Sequence, residues 1–121
     1  MPVKKILVVD DSPTERAFIQ NLLVKNGYEV VLADSGENGI AKAKSEKPDL
    51  VLMDVVMPGL NGFQATRTIS RDEETKHIPV MICTTKSQET DKIWGMRQGA
   101  RDYVMKPIVE EELLAKIAAL G

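Results

Sequence analysis

Short apolar runs alternate with longer segments of mixed polarity along this chain. The runs are Ile6-Leu7-Val8-Val9, Val30-Val31-Leu32, Leu50-Val51-Leu52-Met53, Val80-Met81-Ile82-Cys83 and Tyr103-Val104-Met105. Several are continuously apolar, the pattern of a parallel strand covered on both faces. Between the first two, Ser12-Pro13-Thr14-Glu15 offers an N-cap serine, a proline at the first helical position and a glutamate three residues after the cap. A helix is therefore predicted from Pro13 to about Asn26, with Phe18, Ile19, Leu22 and Leu23 as one buried stripe and Gly27 closing it in a left-handed conformation.

Ser35 caps a second predicted helix that runs to about Ser45, with Ile40, Ala41 and Ala43 facing inward and Lys47-Pro48 ending it. A third is expected from about Gly62 and a fourth from about Ser87. The last spans about Val109 to Leu120, with Leu113, Leu114, Ile117 and Ala118 facing the sheet. The order βαβαβαβαβα implies right-handed crossovers and an α/β fold, a doubly wound parallel sheet. Ligands of such sheets bind beyond the carboxyl ends of the strands, near the point where strand order reverses.

Composition narrows the class. The 121 residues suit one compact domain, expected over residues 1–121 with no second domain. Hydrophobic residues make up 43% and charged residues 28%, ordinary for a chain that buries a core. The net charge is −2 and the basic residues are scattered, which argues against nucleic-acid binding. No apolar stretch approaches a membrane span and no signal-peptide core is visible, so no membrane insertion and a cytoplasmic location are expected. Cys83, the single cysteine, lies in an apolar run and reads as a buried, inert thiol.

The candidate chemistry gathers at the strand ends. Strand one ends in Asp10-Asp11, strand three in Asp54, strand four in Thr84-Thr85, and strand five is followed by Lys106-Pro107. Three carboxylates brought to one sheet edge repel one another, and a bound cation resolves this. Oxygen ligands with room for water and phosphate suit Mg²⁺, whereas zinc would want a set of His and Cys ligands that this chain, with one of each, cannot supply. A carboxylate beside a metal, a lysine and a hydroxyl has the parts for phosphoryl transfer. Asp54 is then the nucleophile, Asp10 and Asp11 hold the metal, and Lys106 and Thr84 bind phosphoryl oxygens. Any one of these groups has a structural reading as a turn, cap or strand-end residue. Their coincidence at one edge favours the chemical one.

These motifs carry a resemblance. The string Ile6-Leu7-Val8-Val9-Asp10-Asp11-Ser12, the segment Pro48-Asp49-Leu50-Val51-Leu52-Met53-Asp54 with Met57-Pro58-Gly59 and Asn61-Gly62, Thr84, and Gly99-Ala100 leading to Lys106-Pro107 resemble the receiver domains of two-component response regulators. The resemblance implies a flavodoxin-like fold, five strands in the order 2-1-3-4-5 flanked by five helices. It implies metal ligation by Asp10, Asp11, Asp54 and the backbone carbonyl of Val56, phosphoacceptance by Asp54, phosphate binding by Thr84 and Lys106, switch roles for Thr84 and Tyr103, and a cis peptide at Lys106-Pro107. The segments from Pro58 to Arg67 and from Thr90 to Tyr103 resemble single-domain regulators of chemotaxis-like systems that control type IV pili and twitching motility.

A phosphorelay module of this kind takes its phosphoryl group from a histidine kinase and has no activity beyond its own phosphorylation and dephosphorylation. It would signal to a downstream protein through a face formed by helix four, strand five and helix five, where Lys92, Trp94 and Arg101 lie. Trp94 reads either as a binding anchor there or as a residue packed on its own domain. Two rival readings are a phosphate sink for a shared kinase and a flavodoxin-like enzyme or nucleotide binder. The second lacks a glycine-rich phosphate loop, since Gly36 and Gly39 sit in no GxxxxGK pattern. His77 reads as a solvated loop residue and Glu110-Glu111-Glu112 as the first turn of the last helix.

Overall fold

The computed structural model describes residues 3–85 and 89–120. Five strands and five helices alternate: β1 Lys5–Val9, α1 Pro13–Lys25, β2 Glu29–Ala33, α2 Gly36–Glu46, β3 Leu50–Asp54, α3 Gly62–Arg71, β4 Val80–Thr85, α4 Glu89–Arg97, β5 Asp102–Lys106 and α5 Glu110–Leu120. The strands form one parallel sheet in the order β2-β1-β3-β4-β5. The expected α/β fold and strand order are both present.

Side chains on a strand alternate between faces, and the sheet uses both. Leu7, Val9, Val51, Met53, Val80 and Ile82 pack against Ala43 of α2 and Ala65 and Ile69 of α3. Ile6, Val8, Leu50, Leu52, Met81, Cys83 and Val104 pack against Ile19, Leu22 and Leu23 of α1 and Leu113 and Ile117 of α5. β3, in the middle, is buried at every position. On α4, Gly95 sits so close to the sheet that a Cβ there would come within 2.9 Å of Ile82 Cγ1.

The helix ends follow the local chemistry. Ser12 Oγ accepts the Glu15 N–H at 3.3 Å, and Ser35 Oγ accepts the Asn38 N–H at 3.1 Å. Lys47 takes a left-handed φ of 49° before Pro48, and Gly27 takes φ 90° after α1. Asn61 and Gln64 form a reciprocal capping box at the start of α3, which the pattern of apolar residues does not announce.

Three inward assignments are corrected. Phe18 is 49% exposed: Ile19, Leu22 and Leu23 define the buried stripe of α1, and Phe18 lies roughly 90° round the helix from its centre. Ala41 and Ala118 are likewise exposed, because Gly36, Gly39 and Ala43 set the inner face of α2 and Leu113 and Ile117 that of α5. The expected start of the fourth helix at Ser87 lies outside the described residues. β5 runs through Lys106 rather than ending before it. Among the described residues, no helix is long and apolar enough to cross a membrane.

Candidate functional site

Strand order reverses between β1 and β3, and the sheet register brings the chemistry-bearing ends together there. Asp10 follows Val9 of β1, which pairs with Met53, so Asp10 and Asp54 leave adjacent strands side by side. Asp54 pairs with Cys83 of β4, and the following register couples Thr84 with Met105 and Thr85 with Lys106. The loop after Asp54 folds tightly over it. The Gly62 N–H donates to the Val55 carbonyl at 3.0 Å, and a Cβ at Gly62 would lie 2.0 Å from the Asp54 carbonyl oxygen, so only glycine admits this approach.

Carboxylate oxygens of Asp10, Asp11 and Asp54 all lie within 4.8 Å of one another. Asp10 and Asp54 are buried and Asp11 is exposed. Lys106 Nζ reaches into the cluster, 2.9 Å from Asp54 Oδ1 and 3.2 Å from Asp10 Oδ2. Asp10 is fixed from behind: its Oδ1 accepts the Ser12 N–H at 2.9 Å and its carbonyl accepts Arg16 Nη1 at 2.7 Å. A cleft of about 210 Å³ opens over the cluster, lined also by Ser12, Glu15, Val55, Val56, Cys83 and Thr84.

The electrostatics are unbalanced. Burial raises the Asp54 carboxyl above the usual carboxylate range. The charges of Asp10 and Asp11 add to that, and the Lys106 hydrogen bond and charge oppose it without prevailing. Burial also acts against the Lys106 charge, but there the hydrogen bond to Asp54 and the charges of Asp54 and Asp10 prevail and hold the ammonium well above its ordinary value. The pair thus supports the lysine more than the aspartate. Burial pushes the Cys83 thiol up to about 12, which leaves it protonated, a poor nucleophile and a poor ligand.

Three carboxylates against one ammonium, with all donors oxygen and one side open to solvent, fit a hard divalent cation that keeps water ligands. Lys106 and Thr84 line the same opening. Asp10, Asp11, Asp54, Thr84 and Lys106 therefore share one cleft, as expected from the strand ends, and Val56 lies on its rim. The Lys106–Pro107 peptide is cis. Tyr103 does not line the cleft; it packs against the core on the α2 and α3 side of the sheet. Arg16 and Gly62 support the site and were not assigned that role from sequence, although Gly62 lies in a quoted motif. Trp94 is 52% exposed, with the Arg97 guanidinium 5.8 Å from its ring centroid, so it does not pack into its own core.

Comparison with known proteins agrees with this geometry. Residues 6–118 match the response regulator receiver domain family. The chain is 60% identical over 116 residues to Protein PilH of Pseudomonas aeruginosa, covering 96% of each. Among solved structures, the Vibrio cholerae chemotaxis protein CheY4 superposes with a TM-score of 0.91 at 31% identity, covering 98% of this chain and 99% of that one. The receiver domain of the sensor histidine kinase PA1611 from Pseudomonas aeruginosa, which has a magnesium ion coordinated in its active site cleft, superposes with a TM-score of 0.89 at 30% identity, covering 98% and 97%.

Proposed function

The chain belongs to the response regulator receiver domain family, and from that premise we propose that it accepts a phosphoryl group on Asp54 from a histidine kinase and reports it to a downstream protein. The observation that carries this reading is the Asp54 carboxylate, buried in a three-carboxylate cluster with Lys106 Nζ at 2.9 Å.

In the proposed transfer, an Asp54 carboxylate oxygen attacks phosphorus in line. The new O–P bond forms as the P–N bond to the donor imidazole breaks, and the imidazole leaves with the electron pair of that bond. Lys106 shifts from Asp54 to a phosphoryl oxygen, keeping its positive charge against the group that has moved. The Thr84 hydroxyl donates to another phosphoryl oxygen. Asp10, Asp11, Asp54 and the Val56 carbonyl would hold Mg²⁺, which when bound would supply neutralisation of the charge that gathers on the transferred group. Hydrolysis of the acyl phosphate by water returns the resting site, so the protein's only catalysis is on itself.

The output follows from Thr84 and Tyr103. Drawing the Thr84 hydroxyl toward the phosphoryl group vacates space that the Tyr103 ring fills, and packed interiors favour such discrete rearrangements. The face that feels this is formed by α4, β5 and α5. α4 carries Ile93, Trp94 and Met96 as exposed apolar side chains, and Arg101, just before β5, is exposed as well. The side chain of Lys92 lies outside the described residues. The pathway is chemotaxis-like control of type IV pilus motility, a reading supported by the 60% identity to Protein PilH and by the segments Pro58 to Arg67 and Thr90 to Tyr103.

Acetyl phosphate with Mg²⁺ should add one phosphoryl group, seen by intact mass, and Asp54→Asn should abolish it. Unchanged labelling of that variant overturns the assignment. A phosphorylated form that captures no downstream protein from the same cell would mark a phosphate sink instead.

A further inference from the structure

We propose that Lys116 is a positioning residue that grips Tyr103 from across the sheet edge and so sets how readily the acid site is read out. This rests on Tyr103 being the mobile aromatic of the function proposed above, and it names the side chain that opposes its movement.

Lys116 lies on α5, whose apolar side chains pack on one side of the sheet, whereas the Tyr103 ring packs on the other. β5 ends the strand order, so its outer edge is open, and the lysine stem passes round that edge. Lys116 Nζ lies 2.6 Å from the Tyr103 carbonyl oxygen, 3.3 Å from Asp102 Oδ1 and 4.4 Å from the centroid of the Tyr103 ring. An ammonium has three N–H donors and no acceptor. Two oxygens and one π-face match that number.

Asp102 Oδ1 also accepts the Tyr103 N–H at 2.8 Å. Tyr103 is therefore held at its amide, its carbonyl and its ring by two neighbouring side chains. The Lys116 side chain is only 23% exposed, which places the cation over the ring with little water between. The transfer chemistry at Asp54 requires none of these contacts, because Lys116 does not line the acid cleft.

A side chain that stabilises one ring position and not the other biases the equilibrium between them. Ligand binding that requires the second position is weakened by the same factor. Removing the cation should strengthen that binding by about fivefold, the scale of a modest coupling between sites. Lys116→Met keeps the apolar stem and removes the charge. Lys116→Arg keeps a cation that stacks on an aromatic face.

The test titrates beryllofluoride with Mg²⁺, following Trp94 emission and the amide shifts of β5, in wild type, Lys116→Met and Lys116→Arg. The midpoint should fall about fivefold in Lys116→Met and stay within twofold of wild type in Lys116→Arg. An unchanged or raised midpoint in Lys116→Met overturns the proposal while leaving the acceptor site intact. Absence of any wild-type response overturns the acceptor reading instead. The grip itself is then judged in unliganded protein: ring-current shifts should move the wild-type Lys116 ε-methylene protons upfield, and Tyr103 should populate one χ1 rotamer in wild type and more than one in Lys116→Met. An unshifted Lys116, or a Tyr103 rotamer indifferent to its loss, overturns the grip whatever the acid site does.

Discussion

Replacing Asp54, the proposed acceptor, should make the metal-free protein more stable, although it deletes an ion pair. At an effective dielectric near 20, the 2.9 Å approach of Lys106 to Asp54 is worth about 6 kcal/mol of attraction. Asp10, within 4.8 Å, returns at least about 3.5 kcal/mol of repulsion. Asp11 is exposed, so water reduces its share to about 1 kcal/mol. The net Coulomb gain of about 1.5 kcal/mol does not cover the several kcal/mol lost when a carboxylate leaves water. Ionised Asp54 thus costs the fold about 2 kcal/mol, in keeping with burial as the main cause of its raised pKa.

Asp54→Asn keeps the shape and an oxygen for Lys106 while removing the charge. In EDTA at pH 7, urea unfolding should show the variant more stable by about 2 kcal/mol, a midpoint shift of about 1 M with an unchanged slope. The pH dependence follows from the sign of the shift. With the folded pKa above the unfolded value near ~3.9, wild-type stability is undiminished below that value and falls as pH rises through the folded pKa. The gap between variant and wild type should therefore open above about pH 4 and close below it. A destabilised Asn variant at pH 7, or a gap that persists at low pH, refutes the reasoning.

Three further predictions rest on separate contacts. Millimolar Mg²⁺ should raise the wild-type melting temperature by binding only the folded cluster, and Asp11→Ala should remove most of that rise in differential scanning fluorimetry. Thr66 is fully buried on α3 and its Oγ1 has no hydrogen-bond partner among the described residues, so Thr66→Val should stabilise by about 1 kcal/mol in chemical denaturation; a loss of that size would mean the hydroxyl is paired. Asp49 Oδ2 accepts the Lys5 and Lys4 N–H groups at 3.0 Å each, and these bonds, that from Lys5 foremost, depress its pKa. Asp49→Ala should cost about 1 kcal/mol at pH 7, discounted for its exposure, and the cost should disappear as pH falls through the depressed folded pKa.

The strands were legible because the sheet is covered on both faces, which forces runs such as Leu50 to Met53 to be apolar throughout. The helix starts were legible where capping is chemical, at Ser12 and Ser35. Helix faces were less so. Phe18, Ala41 and Ala118 fit an apolar stripe by spacing, but how wide a stripe the sheet covers is fixed by tertiary packing, which no local pattern encodes. Strand order was not readable from periodicity either, since the register between β1 and β3 joins residues over 40 positions apart; it came with the receiver resemblance. The acid cluster was legible because all its members sit at strand ends. Arg16 behind Asp10, and Lys116 over Tyr103, reach their targets by side-chain paths that depend on the folded sheet edge and helix placement.

β5 is where these strands of argument meet. Lys106, at its end, balances Asp54 and Asp10, while Tyr103, three residues earlier and roughly 10 Å along the strand, is held by Asp102 and Lys116. The first lysine answers to charge in the acid cleft. The second answers to the position of an aromatic ring on the edge strand. In the proposed transfer, a phosphoryl group that draws Lys106 off Asp54 leaves Lys116 untouched, so the release of Tyr103 is proposed to come through Thr84 on the neighbouring β4 rather than through local charge neutralisation. That separation predicts that Lys116→Met alters the readout without altering the rate of phosphoryl transfer from acetyl phosphate, whereas Lys106→Met alters both. Equal loss of transfer in the two variants would show that β5 acts as one electrostatic unit and that the grip on Tyr103 has no separate role.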